Sequence, residues 1–89
     1  MNAVTNLQSR QSVAIDHRVA LLIARDHGQE LMASAYSRDA IALGWWLHRE
    51  ADIALTTPGL SPPLIERALK CCRHLALAAM EVERLEARG

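Results

Sequence analysis

The chain has 89 residues, which is enough for one domain and too few for two. Ten Lys and Arg residues balance ten Asp and Glu residues, so the net charge is zero. This chain therefore lacks the positive charge with which proteins usually attract nucleic acids or anionic membranes. Hydrophobic residues make up 51% of the chain, but Phe is absent, and Ala and Leu far outnumber strand-forming residues. This composition predicts an all-α fold.

Targeting signals are the next feature to assess. The first ten residues contain no apolar stretch of the kind that a secretion signal needs, and no charge-free run without proline exceeds nine residues. A membrane-spanning helix needs roughly 18 apolar residues. Cys71 and Cys72 are neighbours, so on a helix they point about 100° apart and do not form a disulfide with each other. We therefore expect a cytoplasmic protein with reduced thiols and no membrane contact.

The first predicted helix covers about residues 9–27. It contains an apolar stripe at helical spacing, formed by Ile15, Val19, Leu22 and Ile23. If the helix continued through Gly28, the following apolar stripe would be rotated by about 120° around its axis. Glycine also suits the left-handed position that ends many helices. We therefore expect a break at Gly28 and a second helix that begins near residue 29.

A second break is predicted at residues 56–61. Pro58 and Gly59 suit the two central positions of a type II turn, and Ser61 followed by Pro62 suits the start of a helix. The second and third helices are therefore predicted at about 29–55 and 62–87. A short loop between two long helices forms an antiparallel hairpin. The predicted fold is a small three-helix protein in which a short N-terminal helix packs on this hairpin, with dimerisation into a bundle as a further expectation.

The third predicted helix has the clearest inward face. Toward its C-terminus, Glu83 and Glu86 occupy positions where that face would continue, so we expect the last turn to extend beyond the core. The apolar half of the helix consists of Leu64, Ile65, Ala68, Leu69, Cys72, Leu75, Ala76 and Ala79.

The second predicted helix carries two apolar surfaces. Ile41 and Trp45 lie four residues apart on its otherwise polar side, with Arg38 and Arg49 within reach of the indole. Either the first helix covers these two residues, or it packs in the groove of the hairpin and leaves them exposed. The main stripe, which we expect to face the third helix, consists of Met32, Tyr36, Ala40, Leu43, Leu47 and Ala54, flanked by Ala35, Trp46 and Ile53.

The surface of Arg38, Ile41, Trp45 and Arg49 leads to a functional hypothesis. Tryptophan and arginine are enriched among the residues that dominate binding energy at protein interfaces. We interpret the protein as a small protein–protein interaction module of the adapter, chaperone or inhibitor type, which binds a partner protein of unknown identity through these four residues. Homodimerisation through the same face is a further expectation, because two helical hairpins make a four-helix bundle.

Two acidic residues, Asp39 and Glu50, fall within the main stripe. A carboxylate that is buried must be paired with a cation or neutralised. Arg18 and Arg25 lie seven residues apart on one side of the first helix. We therefore expect Asp39 and Glu50 to lie at the rim of the core, where Arg18 or Arg25 can meet them.

Catalytic and metal-binding motifs are weak in this sequence. Cys71 and His74 have a spacing that suits one metal ion, but a closed zinc site needs two further ligands, and no second cluster of Cys or His exists. Neither a GxSxG nucleophile motif nor a glycine-rich phosphate loop is present. We predict that the protein is not an enzyme and that it binds no metal and no cofactor.

The alternative interpretation is a DNA-binding transcriptional regulator with a divergent helix-turn-helix. The motif could be placed over residues 20–37, with Ala24 and Gly28 at its small-residue and turn positions. However, His27 and Ser34 then occupy positions where the motif needs apolar residues. The basic line of the third helix, Arg67, Lys70 and His74, is opposed by Glu66. Nucleic acid is therefore not the expected partner.

Overall fold

The computed structural model describes residues 3–88, and their side chains from Asp16 onward. Over this range the chain forms three α-helices, Ala3–Ser34 (α1), Arg38–Thr56 (α2) and Pro62–Arg88 (α3), and no strands. The predicted all-α three-helix fold is confirmed. Two sequence observations concern side chains outside the described ones: the lack of a secretion signal in residues 1–10, and the place of Ile15 in the first apolar stripe.

The predicted break at Gly28 is corrected by the structure, in which α1 continues through Gly28 and ends at Ser34. Gly28 is instead the point where α1 and α2 cross. A Cβ atom on Gly28 would lie 2.6 Å from the backbone oxygen of Gly44 and 2.5 Å from the backbone nitrogen of His48. Glycine is therefore required here because two helix backbones approach closely, and not because a helix ends.

The helix lengths change accordingly. With 32 residues, α1 is the longest of the three described helices and not a short one, whereas α2 has 19 residues and begins at Arg38 rather than near residue 29. The third helix, Pro62–Arg88, agrees with its predicted bounds to within one residue. The intervening turn contains Gly59 at φ 72°, a left-handed conformation that glycine adopts without strain.

The start of α2 is set by a buried serine. Ser37 is the N-cap residue, and its hydroxyl oxygen accepts hydrogen bonds from the backbone nitrogens of Asp39 and Ala40 at 3.2 and 3.4 Å. Its own backbone N–H donates to Oε1 of Glu83 on α3 at 2.7 Å. The expectation that Glu83 extends beyond the core is thus corrected, because this carboxylate joins the C-terminal part of α3 to the first turn of α2.

The core lies where the three helices meet. Leu21 of α1, Leu47 and Ala51 of α2, and Cys72 of α3 form a buried cluster. The predicted inward stripe of the first helix is wrong in part, because Leu21 is buried whereas Val19 and Ile23 are largely exposed. The main stripe predicted for the second helix is also divided, since Met32 belongs to α1 and the following residues do not share one environment: Tyr36, Trp46 and Ile53 are exposed, and Ala40 and Leu47 are buried.

Polar contacts link α1 to α2 beside the glycine crossing. Nη1 of Arg25 lies 3.1 Å from Oδ1 of Asp52, and Nδ1 of His48 lies 3.2 Å from the backbone oxygen of Arg25. Since a carbonyl oxygen only accepts hydrogen bonds, the Nδ1–H group of His48 is the donor. Arg25 therefore pairs with Asp52 and not with Asp39 or Glu50, which corrects the predicted pairing.

Candidate functional site

Two adjacent tryptophans are exposed on the outer side of α2. Trp45 is 45% exposed and Trp46 is 49% exposed. Their rings meet edge to face, with centroids 4.9 Å apart and an interplanar angle of 86°. Cζ of Arg49 lies 5.4 Å from the centroid of the Trp45 ring. We call this group of Trp45, Trp46 and Arg49 the tryptophan patch.

The path of α1 explains why Trp45 is not covered. α1 crosses α2 at Gly44 and His48, where the backbones are in contact. Trp45 follows Gly44, so its side chain points about 100° away from the crossing. Ile41 is half-buried. The structure therefore matches neither of the two expected arrangements in full, because α1 packs mainly on α2 and leaves Trp45 exposed but Ile41 half-buried.

The four predicted partner-binding residues lie along one side of α2. Arg38 and Arg49 are exposed, and neither forms an ion pair with another residue of the described part of the chain. The predicted cation–π contact is present between Arg49 and Trp45, an interaction worth about 0.5–1 kcal/mol at an exposed site. Ile41 and Arg38 lie one and two turns before Trp45.

Trp46 is the functional candidate that sequence reasoning missed. The predicted main stripe contained Leu47 and was flanked by Trp46; Leu47 is fully buried, whereas Trp46 is nearly half exposed. The Trp45-Trp46 dipeptide itself indicates that the two indoles are not both buried. Adjacent helical residues diverge by about 100°, so a narrow inward face does not bury two large neighbouring indoles.

The side chains described from Asp16 onward line two open grooves beside α3. The larger, of about 700 Å³, lies between α1 and α3, and charged residues such as Asp16, Lys70 and Arg73 line its edges. The smaller, of about 370 Å³, lies between α2 and α3 on the other side of the hairpin. Glu50, Ile53 and Leu64 are among its lining residues.

The two cysteines are poorly suited to nucleophilic or metal chemistry. Burial raises the pKa of Cys72 to about 11, and the nearby Cys71 and Glu50 add to the effect. Burial and the charge of Glu50 also raise the pKa of Cys71. Both thiols are therefore protonated at neutral pH, whereas nucleophiles and metal ligands react as thiolates. Among the described residues, no group of three or more His, Cys, Asp or Glu side chains is arranged to hold a metal ion.

The helix-turn-helix motif considered for residues 20–37 is absent from the structure of that segment. α1 is continuous from position 20 to Ser34, so Gly28 is not a turn and the motif has no second helix at that place. Arg67, Lys70 and His74 occur on α3, and Arg67 and Lys70 line different grooves. At positions i, i+3 and i+7 the three side chains lie on one exposed ridge of α3 between the two grooves, with the acidic Glu66 exposed beside them.

Comparison with known proteins gives no relative for this arrangement. Neither a protein family, a curated protein nor a solved structure matches the chain. Within residues 3–88, no helix has both the length and the apolar character needed to cross a membrane.

Proposed function

We propose that the protein is a small helical module that binds another protein through the outer face of α2. The observation that supports this proposal is the tryptophan patch, in which two adjacent indoles are about half exposed and an arginine stacks on one of them. Large aromatic side chains are enriched at the centres of protein interfaces and costly to leave in water. A module of this kind acts by occupying a surface of its partner, as adapters, chaperones and inhibitors do.

The tryptophans supply part of the apolar area that a protein interface needs. Covering the exposed half of each indole removes roughly 100 Å² per ring from water, which is worth about 2–3 kcal/mol per ring at 25 cal/mol per Å². Arg38 and Arg49 lie beside the rings and have no acidic partner among residues 16–88. They would orient carboxylates of the partner and contribute to specificity more than to affinity. We infer a cytoplasmic location from the two free, neighbouring thiols.

Replacement of Trp45 tests the proposal. Tagged wild-type protein and the Trp45→Ala variant are used to purify partners from the native cell, and each thermal midpoint is measured. We expect the variant to lose the partner protein, because the indole is the apolar centre of the patch. The midpoint should change little, because this side chain is outside the buried cluster.

Leu77→Ala is the matched control, because Leu77 is an exposed apolar residue on α3, away from the patch. This variant should recover the same partner as the wild type. Equal recovery by all three proteins would overturn the proposal, as would a large loss of stability in Trp45→Ala without a loss of binding.

A further inference from the structure

α3 carries a second apolar seam that the three-helix fold buries only in part: four of its seven residues are half-buried and three are exposed. The spacing between its members alternates between four and three residues through nearly the whole helix, which is the heptad pattern of helices that pack against other helices. None of the seven residues is fully buried, and Leu64 and Leu85 are 48% and 55% exposed. The seam consists of Leu64, Ala68, Cys71, Leu75, Ala78, Val82 and Leu85.

The seam lies on the side of the hairpin that α1 does not occupy. The groove between α1 and α3 is lined by Leu69, Lys70 and Arg73 of α3. The groove between α2 and α3 is lined by seam residues, including Leu64 and Cys71. The two sets lie on different sides of α3, so the α2–α3 face points away from α1.

α2 continues the same apolar face. Ile53 lines the groove, and Trp46, which precedes Ile53 by seven residues, lies on the same side of α2. Both side chains are nearly half exposed. Two adjacent antiparallel helices therefore present apolar rows on one side of the hairpin, which is half of a four-helix arrangement.

The groove carries one acidic and one basic side chain, and a second copy of the chain can match both of them. Glu50 lines it from α2 and Arg67 lines it from α3. Neither side chain forms an ion pair with any residue of the described part of the chain. If two copies are related by a two-fold axis parallel to the groove, α2 of each copy lies opposite α3 of the other. Glu50 of each copy then faces Arg67 of the other copy, which gives two acid–base pairs. The net charge of zero adds no long-range repulsion between copies.

We propose that a second copy of this chain binds to the α2–α3 face. The two hairpins form a four-helix bundle in which the α3 seams and the apolar residues of α2 are buried. Glu50 and Arg67 form two intermolecular pairs at its edge. This interface differs from the one centred on Trp45, and each is tested without the other.

Charge reversal tests the proposed dimer. The molar masses of the wild type, Glu50→Arg and Arg67→Glu are measured by light scattering after size exclusion at low ionic strength. We expect the wild type to have twice the mass of the chain. Each single variant should be monomeric, with a dimer dissociation constant raised about tenfold or more, because like charges then face each other at two places.

Mixing the two single variants provides the decisive measurement. One variant carries two cations at these positions and the other carries two anions, so the mixture should form a heterodimer although neither variant dimerises alone. A conformational change within a single chain would not make the mixture dimeric while each variant alone stays monomeric. Circular dichroism confirms that each variant remains helical, and Trp45→Ala serves as a control that should remain dimeric. A monomeric wild type, single variants that remain dimers, or a mixture that stays monomeric would each overturn the proposal.

Discussion

Single side chains join distant parts of this molecule at the beginning of α2. In a capping box, the residue three positions after the N-cap returns a side-chain acceptor to the N-cap backbone N–H. That position is Ala40 here, which has no such group, and Glu83 of α3 supplies the acceptor instead. Because Ser37 is only 2% exposed, its N–H has little access to water if the carboxylate is removed.

Glu83→Ala is therefore expected to destabilise the fold by about 1–2 kcal/mol, since it leaves a buried donor without a partner. Glu83→Gln keeps an acceptor oxygen and should lose less. Urea denaturation followed by circular dichroism measures both effects. Glu86→Ala, which removes an exposed glutamate one turn later, is the control. Equal losses for Glu83→Ala and Glu86→Ala would contradict the capping role.

The thiol of Cys72 illustrates how burial controls reactivity at the scale of one residue. Its pKa is raised from 9.0 to about 11, so almost none of it is thiolate at pH 8. The shift favours the protonated form in the folded state. Its contribution to stability is therefore complete below pH 9.0 and is lost as the pH rises through about 11.

Alkylation with iodoacetamide at pH 8 should modify Cys71 well before Cys72, because Cys71 is half-buried and Cys72 is buried. Peptide mapping by mass spectrometry measures the two rates. In urea the two cysteines should react at similar rates, because the environment that distinguishes them is lost. Equal rates in the native protein would show that burial does not protect Cys72.

At the scale of elements, the crossing of α1 and α2 depends on two glycines. A Cβ atom on Gly44 would lie 2.6 Å from Cβ of Leu31 and 2.9 Å from the backbone oxygen of Gly28. These distances are shorter than any normal van der Waals contact, so a side chain at either position forces the helices apart. The close approach also allows His48 and Asp52 to reach Arg25.

Gly28→Ala should destabilise the protein by about 1–3 kcal/mol, because the new methyl group meets backbone atoms of α2 that do not give way easily. Helix propensity alone gives the opposite sign, since alanine is favoured over glycine by about 1 kcal/mol within a helix. Gln29→Ala, at an exposed neighbouring position, should change stability little. Thermal and urea denaturation distinguish these outcomes, and a stabilised Gly28→Ala variant would contradict the role assigned to the crossing.

At the scale of the whole molecule, α1 covers one side of the α2–α3 hairpin, and residues 16–88 present two further apolar surfaces. The tryptophan patch lies on the outer side of α2, and the second surface spans the α2–α3 groove. Trp46 belongs to the patch and also continues the apolar row of the groove, so a substitution at Trp46 would affect both. Partner binding and dimerisation can be tested separately, because a substitution of Trp45 affects the first surface and charge reversal at Glu50 or Arg67 affects the second.

The sequence by itself determined the features that depend on local chemistry. Composition indicated an all-α protein, and the signals around Pro58, Gly59 and Ser61 placed the turn before α3, because these residues act on their own backbone. The spacing of Trp45 and Arg49 predicted their contact, because residues four apart on a helix are neighbours.

Only the tertiary structure decided the features that depend on contacts between helices. The local sequence around Gly28 is compatible both with the end of a helix and with a close approach of a second helix backbone. The second role is the one found, and it depends on Gly44, sixteen residues away. The acceptor for the Ser37 N–H lies 46 residues away, at Glu83. Which of Trp45, Trp46 and Leu47 is buried depends on the direction from which α1 and α3 approach α2, and the helical period alone does not contain that direction.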